Sequence, residues 1–202
     1  MLDRVRPCAN QDEDSFMTVF IGGSRRISRL NETIRSRADN MVRKGLKVLI
    51  GDANGIDRAM QQHFASKEYK NVVVYCMAGH CRNNVGNWPT QHISADHHRK
   101  DFAYYATKDH EMAKEASCGF MIWDGKSKGT LNNILNLLLQ QKKVVAYFSP
   151  DKECHTLRSL DDLQKLLGKC SNVDRHKFER ELSLGLSTKE KTPPDLFAVR
   201  PD

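Results

Sequence analysis

The feature that most constrains the fold of this chain is a repeated junction, in which a short apolar run ends at glycine and a helix-type segment follows. Such junctions occur after the apolar runs at 16–21, 46–50 and 118–122. Runs of this length bounded by glycine are typical of buried strands, and the segments after them carry apolar residues at helical spacing. Because strands that alternate with helices form parallel sheets, the sequence predicts an α/β fold.

The alternation continues along the chain. Further strands are predicted at 72–76 and 143–148, and helices at 30–45, 55–66, 101–116 and 131–141. Right-handed crossovers between these units give an open, doubly wound, Rossmann-like parallel sheet of about five strands. The segment 77–100 interrupts the pattern and is predicted to be a long loop or insertion.

Three regions are predicted along the chain. Residues 1–15 form a flexible N-terminal arm, residues 16–150 form the Rossmann-like nucleotide-binding domain, and residues 151–202 form a small helical C-terminal extension that ends in a flexible segment. Within the extension, short helices are expected at 160–167, with Ser159 as the N-cap, and at 173–184.

Composition and charge narrow the classes of function. No apolar run in the 202 residues is long enough to cross a bilayer, so no membrane partner is expected. The net charge of +7 makes nucleic acid a candidate partner, although the basic residues are scattered rather than gathered in one block. The six cysteines lack the spacing of a disulfide framework and are expected to be free thiols, which favours a cytoplasmic location.

The three glycine-containing turns are the predicted binding site, because ligands of doubly wound sheets bind beyond the carboxyl ends of the strands. Glycine lets backbone N–H groups approach a phosphate, and the N-terminus of the following helix adds partial positive charge. The first turn (22–26) and the second turn (51–57) contribute the candidates Gly22, Gly23, Ser24, Arg25, Gly51, Asp52, Asn54 and Gly55. The third turn (124–130) contributes Asp124, Gly125, Ser127, Gly129 and Thr130.

Several of these residues also have a purely structural explanation. Arg25 suits an exposed position in a tight strand-to-helix turn, and Thr130 suits a helix N-cap. Asp57 falls in the first turn of a helix, where the helix dipole favours a carboxylate. Asp52 differs, because it is expected to project from the strand end into the crevice. There Asp52 and Asp124 would hold a ribose hydroxyl or act as catalytic acid or base.

Aromatic and metal-ligating residues give weaker signals. Trp88 and Trp123 are candidates to face a base, although Trp88 would equally suit an anchor between the long loop and the core. Cysteine and histidine residues in and beside that loop match no common zinc spacing, so neither a metal nor a cofactor is predicted. The residues concerned are Cys76, His80, Cys81, His92, His97 and His98.

Four motifs together resemble the SLOG superfamily, and its YspA-like branch most of all. They are Gly22-Gly23-Ser24-Arg25, the segment 51–59, Lys108-Asp109-x-x-Met112-Ala113, and the segment 123–130. The resemblance covers about residues 16–148 and implies a Rossmann-like fold that binds nucleotides or nucleotide-derived ligands. Relatives in that superfamily include the LOG phosphoribohydrolases, the DNA-uptake protein DprA and, more distantly, nucleoside deoxyribosyltransferases.

One departure from the resemblance concerns catalysis. The essential glutamate of LOG-type hydrolases maps to Asn133, and an amide cannot serve as nucleophile or general base. Cleavage of an N-glycosidic bond would therefore require the carboxylate of Asp52 or Asp124.

Three functions stay open at this point. The first is binding of a nucleotide or nucleoside-derived small molecule, as a sensor or carrier. The second is hydrolysis or transfer at the N-glycosidic bond of a nucleotide. The third is a DprA-like nucleic-acid-binding or regulatory role. Because related folds often form dimers, a homodimer is a candidate assembly.

Overall fold

The computed structural model describes residues 17–171 except 78, 80 and 95–100, together with Asp174 and Phe178. The predicted N-terminal arm, most of the helix expected at 173–184, and the expected flexible end lie outside these residues. The elements in chain order are β1 (Thr18–Gly23), α1 (Glu32–Arg43), β2 (Lys47–Gly51), α2 (Ile56–Ser66), β3 (Val72–Met77), β4 (Thr90–Ile93), α3 (Phe102–Glu115), β5 (Cys118–Trp123), α4 (Lys128–Leu139), β6 (Val144–Phe148), β7 (Glu153–Leu157) and α5 (Leu160–Leu167).

The strands form one sheet in the order β4-β3-β2-β1-β5-β6-β7. Every neighbouring pair is parallel except β6 and β7, which are antiparallel. Apolar residues of α1 and α2 pack on one face of the sheet, and those of α3, α4 and α5 pack on the other. The predicted α/β class is confirmed, and the strand order changes direction between β1 and β5, where a doubly wound sheet opens its crevice.

The predicted number of about five strands is wrong, because the sheet has seven strands within the described residues. The two strands that the sequence did not indicate lie at the edges. β4 falls inside the segment predicted as a loop, and β7 falls inside the predicted helical extension. Edge strands hydrogen-bond to one neighbour and bury little side-chain area, so polar sequences such as Thr90-Gln91-His92 form them without an apolar run.

The described residues beyond 150 complete one face of the core rather than standing apart from it. Leu157 of β7 and Leu163, Leu166 and Leu167 of α5 join the same apolar cluster as α4. The helix at 160–167 has the predicted bounds, and the side chain of its N-cap Ser159 accepts a hydrogen bond from the Asp162 N–H at 3.2 Å. None of the described helices is long and apolar enough to span a bilayer.

The prediction of free thiols is wrong for one pair of cysteines. Cys76, in β3, and Cys81, in the loop after it, form a disulfide with their Cα atoms 5.2 Å apart, a separation that suits the bond. The sequence spacing of five residues matches no common pattern, so the pair becomes visible only when the turn after β3 brings the two residues together. The other described cysteines are free, as predicted: Cys118, Cys154 and Cys170.

Gly23, at the end of β1, gives a direct test of how tightly the residues pack where the strand order changes direction between β1 and β5. A Cβ atom at this position would lie 2.5 Å from the Ile122 carbonyl oxygen and 3.0 Å from the Ile56 side chain. We expect Gly23→Ala to lower the free energy of unfolding by about 1–3 kcal/mol, measured by denaturant titration, because overpacking forces the backbone to move. Gly129→Ala is the control, since nothing lies within 4 Å of its added Cβ atom. Equal effects of the two substitutions would contradict this packing.

Candidate functional site

A cavity of about 500 Å³ opens at the carboxyl end of the parallel strands, bordered by the three glycine-containing turns and the N-terminal half of α3. The strand order explains this meeting, because β2, β1 and β5 are neighbours and each ends at one of the turns. The structure therefore brings most of the predicted binding residues to one place. Those that line the cavity are Gly22, Gly23, Ser24, Arg25, Gly51, Asp124, Ser127, Gly129 and Thr130.

Asp52 is buried beside the cavity rather than lining it. Its Oδ1 accepts a hydrogen bond from Arg82 Nη2 at 2.7 Å, and its Oδ2 accepts from Arg82 Nε at 3.0 Å and from the Arg82 N–H at 3.1 Å. Burial alone would raise the pKa of Asp52, but the hydrogen bonds from Arg82 outweigh it and hold that pKa below its usual value. Arg82, not Asp52, thus reaches the cavity at this point.

The remaining predicted residues shape the turns without lining the cavity. Asn54 Oδ1 accepts from Asn83 Nδ2 at 3.1 Å, which ties the second turn to the loop after β3. Gly55 has a φ of +81°, and a Cβ atom there would lie 2.5 Å from the backbone of Arg25. Gly125 has a φ of +72°. Glycine at these two positions permits left-handed backbone that other residues rarely adopt.

Asp124 joins the first and third turns. Its Oδ2 accepts a hydrogen bond from the Ser24 hydroxyl at 2.7 Å, and its Oδ1 accepts from the N–H groups of Lys126 at 3.0 Å and Ser127 at 2.7 Å. Burial would raise the pKa of Asp124, but these donors outweigh it and lower the pKa. Two predicted site residues, Ser24 and Asp124, are thus bound to each other across 100 positions of sequence.

The start of α4 faces the cavity with a glycine that the fold does not require. The helix begins at Lys128, three residues earlier than predicted, because Ser127 is its N-cap and accepts a hydrogen bond from the Thr130 N–H at 3.3 Å. The Thr130 hydroxyl donates to Ser127 Oγ at 3.0 Å. Nothing lies within 4 Å of a Cβ atom built on Gly129, and the N–H of this second helical residue has no acceptor inside the helix.

The floor of the cavity contains a charge cluster, formed by Asp57, Lys108 and Asp109. Lys108 is only 4% exposed, and its Nζ lies 3.1 Å from Asp109 Oδ1. Asp57 Oδ2 accepts a hydrogen bond from the Ala53 N–H at 3.1 Å. A side chain at Gly51 would collide with both the Asp57 carboxylate and the Lys108 ammonium group. Glycine at this strand end therefore makes room for the charge cluster.

The pKa values of the charge cluster move because the groups are buried together. Burial raises the pKa of Asp57 to about 6, although the Lys108 ammonium opposes the rise. Burial would lower the pKa of Lys108, but the carboxylates of Asp109, Asp57 and Asp52 outweigh it and raise that pKa. Lys108 is therefore a cation at neutral pH. The pKa of Asp57, about 6, lies close to neutral pH. Asp57 lies in the first turn of α2, as predicted, where the helix dipole favours a carboxylate. The sequence did not indicate that it also lines the cavity.

Cations and an aromatic ring meet at the mouth of the cavity. The guanidinium carbon of Arg25 lies 5.4 Å from the centre of the Tyr105 ring, and that of Arg82 lies 5.1 Å from it. Tyr105 is in the first turns of α3, and Arg82 is in the segment predicted as a loop. No local motif distinguishes either residue, so only the arrangement of turns around the cavity reveals them.

Asn133 lines the cavity with a side chain whose hydrogen-bonding capacity is only partly used. It is 6% exposed, and its Oδ1 has no hydrogen-bond partner among the residues that the structure describes. A buried polar atom without a partner costs about 1–3 kcal/mol, so a bound donor at this position would remove a penalty.

The two tryptophans do not face the cavity, and the prediction that they contact a base is wrong. Trp88 is buried, and its Nε1 donates to the Tyr69 carbonyl oxygen at 2.8 Å, so it anchors the loop to the core. Trp123 is fully buried between Phe148 and Phe178, and its Nε1 donates to the Ser127 carbonyl oxygen at 3.0 Å.

One group of side chains within the described part of the chain has candidate metal-ligand atoms within 4.8 Å of one another: Asp151, Glu153 and His155. This group does not line the cavity. Asp151 Oδ2 already lies 2.9 Å from His155 Nε2 and 2.7 Å from Lys169 Nζ. The group therefore forms part of a surface ion-pair network. Of the loop residues weighed for zinc, His80, His97 and His98 lie outside the described residues.

Among known proteins, a solved structure with a similar fold supports the architecture described above. No protein-family model and no curated protein matches the sequence. A solved structure of DNA processing protein A from Helicobacter pylori, described for its single-stranded DNA binding mode, is similar over 85% of this chain and 82% of that chain. The TM-score is 0.52 and the sequence identity is 13%, a level at which the likeness shows the fold alone.

The raised pKa of Asp57 predicts how stability depends on pH. Because its folded-state pKa of about 6 exceeds the ordinary 3.8, the protonated carboxyl stabilises the fold below about pH 4, and this contribution is lost as the pH rises through 6. Asp57→Asn is neutral at every pH. Between pH 4 and 7 we expect its free energy of unfolding to rise relative to the wild type by about 2–3 kcal/mol, measured by urea titration.

Asp39→Asn is the control for this experiment. Slight burial would raise the pKa of Asp39, but hydrogen bonds from His63 and Lys67 lower it. The Asp39 carboxylate therefore stabilises the fold above the ordinary pKa, and its replacement should shift the relative stability in the opposite direction. A pH-independent difference between Asp57→Asn and the wild type would show that Asp57 is not desolvated.

Proposed function

We propose that the cavity binds a nucleotide, with its phosphate at the start of α4 and its sugar and base extending across the charge cluster. The observation that carries this proposal is Gly129, which leaves open space beside the N–H groups of a helix N-terminus inside a 500 Å³ cavity. Backbone N–H groups and the helix dipole together favour a phosphate at such a position. A cavity of this volume is in the range that holds small-molecule ligands.

The charges around the cavity support an anionic ligand. The Asp124 carboxylate is already occupied by a hydroxyl and two backbone N–H groups, and the Asp109 carboxylate is already paired with the Lys108 ammonium. Arg25 forms no ion pair with any described residue, and Arg26 and Lys126 line the same wall. These cations are placed to contact a phosphate without breaking an internal salt bridge.

Asn133 supports a ligand that also carries a hydrogen-bond donor. Its orphaned Oδ1 is buried in the cavity wall next to Thr130, one turn of α4 away from Gly129. A sugar hydroxyl or an exocyclic amine of a base would supply the missing donor. Asn133 therefore favours a ligand that carries such a donor beyond its phosphate.

Membership of the YspA-like branch of the SLOG superfamily is part of this proposal. It is supported by the four sequence motifs, three of which border the cavity through their glycines and one through Lys108-Asp109.

The alternative of an N-glycosidic bond hydrolase or transferase has less support. Asp52 and Asp124, the carboxylates that it would need, accept several hydrogen bonds each and have lowered pKa values, which weakens both as bases. Asp57 is the cavity carboxylate whose pKa, about 6, is near neutral pH, and its carboxylate group lies against Gly51 on the cavity floor.

A second candidate function is binding of single-stranded nucleic acid. Two observations favour it: the fold is similar to that of a DNA processing protein described as binding single-stranded DNA, and the chain has a net charge of +7. In this case the nucleotide in the cavity would belong to a strand, and further phosphates would contact basic residues outside it.

Binding to the cavity is tested by filling the space beside Gly129. Wild type and Gly129→Leu are titrated calorimetrically with nucleoside mono-, di- and triphosphates, nicotinamide dinucleotide and ADP-ribose. Leucine is a good helix former and meets no atoms at its Cβ, so the melting temperature should stay equal or rise. Ligand affinity should fall by more than about tenfold, since the side chain occupies the phosphate position.

Gly129→Ala should give an intermediate loss in the same titrations, because its added volume is smaller. Unchanged affinity in Gly129→Leu would place the ligand elsewhere. Mass spectrometry of each mixture tests the enzymatic alternative, because only a glycosidase releases free base.

The nucleic-acid candidate predicts a specific salt dependence. For a single-stranded oligonucleotide, the logarithm of the binding constant should fall linearly with the logarithm of salt concentration, and Arg25→Ala should reduce that slope by about 0.7. Arg43→Ala removes the same charge from the last turn of α1, away from the cavity, and should leave the slope unchanged. Oligonucleotide binding that persists unweakened at high salt would contradict a phosphate-driven mode.

A further inference from the structure

Two aromatic side chains of α3 lie at the edge of the cavity, and neither has a role in the proposed phosphate site. Phe102 and Tyr105 are three residues apart, so they lie on the same side of the helix, and both line the cavity. Asp101, the N-cap whose Oδ1 accepts from the Tyr104 N–H at 3.0 Å, holds the start of this helix in place. The two rings are called the aromatic rim below.

Phe102 is unusually exposed for a phenylalanine. It is 45% exposed, and among the described residues only Val85, at 42%, is a comparably exposed large hydrophobic side chain. This exposure, at the edge of the cavity, leaves the residue accessible from solvent. The ring is therefore available to contact a ligand at the mouth of the cavity.

Cations from three separate parts of the chain lie over the aromatic rim. Lys128 Nζ, at the start of α4, lies 4.9 Å from the centre of the Phe102 ring. Arg25 follows β1 and Arg82 follows β3, and both lie over the ring of Tyr105. Aromatic rings interleaved with cations are the combination by which proteins hold single-stranded nucleic acid, since bases stack on the rings and phosphates contact the cations.

We propose that the aromatic rim is a stacking surface for the bases of a single strand whose phosphate occupies the cavity. The inference rests on the proposed nucleotide site and names its ligand class as single-stranded nucleic acid rather than a free nucleotide. Phe102 is at the mouth and open to solvent, so a nucleotide seated in the cavity leaves this ring to the next nucleotide along the strand. A free mononucleotide has no second base to place there.

The test compares Phe102→Ala with two matched variants. Val85→Ala removes an equally exposed apolar side chain from a loop residue that does not line the cavity. Phe102→Trp keeps an aromatic surface at the same position. Affinity for fluorescently labelled oligothymidylate of about 12 nucleotides is measured by anisotropy, and affinity for thymidine monophosphate by calorimetry.

We expect Phe102→Ala to weaken oligothymidylate binding by about five- to a hundredfold, the range measured when one stacking residue is removed. The slope of affinity against salt should not change, because no cation is lost. Thymidine monophosphate binding should also be unchanged. Val85→Ala should match the wild type, and Phe102→Trp should retain or increase the oligonucleotide affinity.

The outcomes separate this inference from the function on which it rests. If wild type binds neither probe, the proposed nucleotide site itself fails. If wild type binds both probes but Phe102→Ala matches Val85→Ala, the cavity binds nucleotides and the aromatic rim is not a stacking surface. A parallel loss of both probes in Phe102→Ala would also overturn the inference, because the ring would then support the cavity rather than a second base.

Discussion

The ammonium group of Lys108 is buried among carboxylates, and the geometry of the cavity depends on keeping it there. A buried cation is tolerated only when opposite charges and hydrogen bonds compensate for the water it has lost. Asp109 supplies the direct partner, and Asp57 lies against the same point, where Gly51 ends β2 without a side chain. This arrangement joins α3, α2 and the sheet at a single place. Loss of Asp109 would leave the Lys108 ammonium buried without its direct partner.

A second connection joins the first and third turns, which form another wall of the cavity. The hydrogen bond from Ser24 to Asp124 joins the turns after β1 and β5, and the same carboxylate orders the two residues that precede α4. The polar groups of the floor and of this wall are therefore largely used for structure. The cavity-lining groups without such a structural role are Gly129, the basic residues of the first and third turns, Asn133 and the aromatic rim. Under the proposed function, this division explains how a site rich in carboxylates would accept an anion.

Much of the fold and part of the site could be predicted from local patterns. Apolar runs such as Val72–Cys76 report buried parallel strands directly, because both faces of such strands are covered. Glycine-containing turns at strand ends indicated the cavity, since parallel strands place their carboxyl ends at one edge. Edge strands escaped prediction, because β4 and β7 bury too little area to need an apolar sequence. Asp52 was misplaced for a related reason: its partner Arg82 lies 30 positions away, in a segment without a recognisable pattern.

The sequence by itself determined the α/β class, the three glycine-containing turns at strand ends and the candidate phosphate position, because each depends on residues close together in the chain. Only the tertiary structure decided which carboxylates are committed, that Cys76 pairs with Cys81, that both tryptophans are buried, and that cations lie over Phe102 and Tyr105. These features depend on pairs drawn from different loops. Whether a polar side chain is satisfied or available is set by such partners and by the loss of water around them, and no local pattern contains that information.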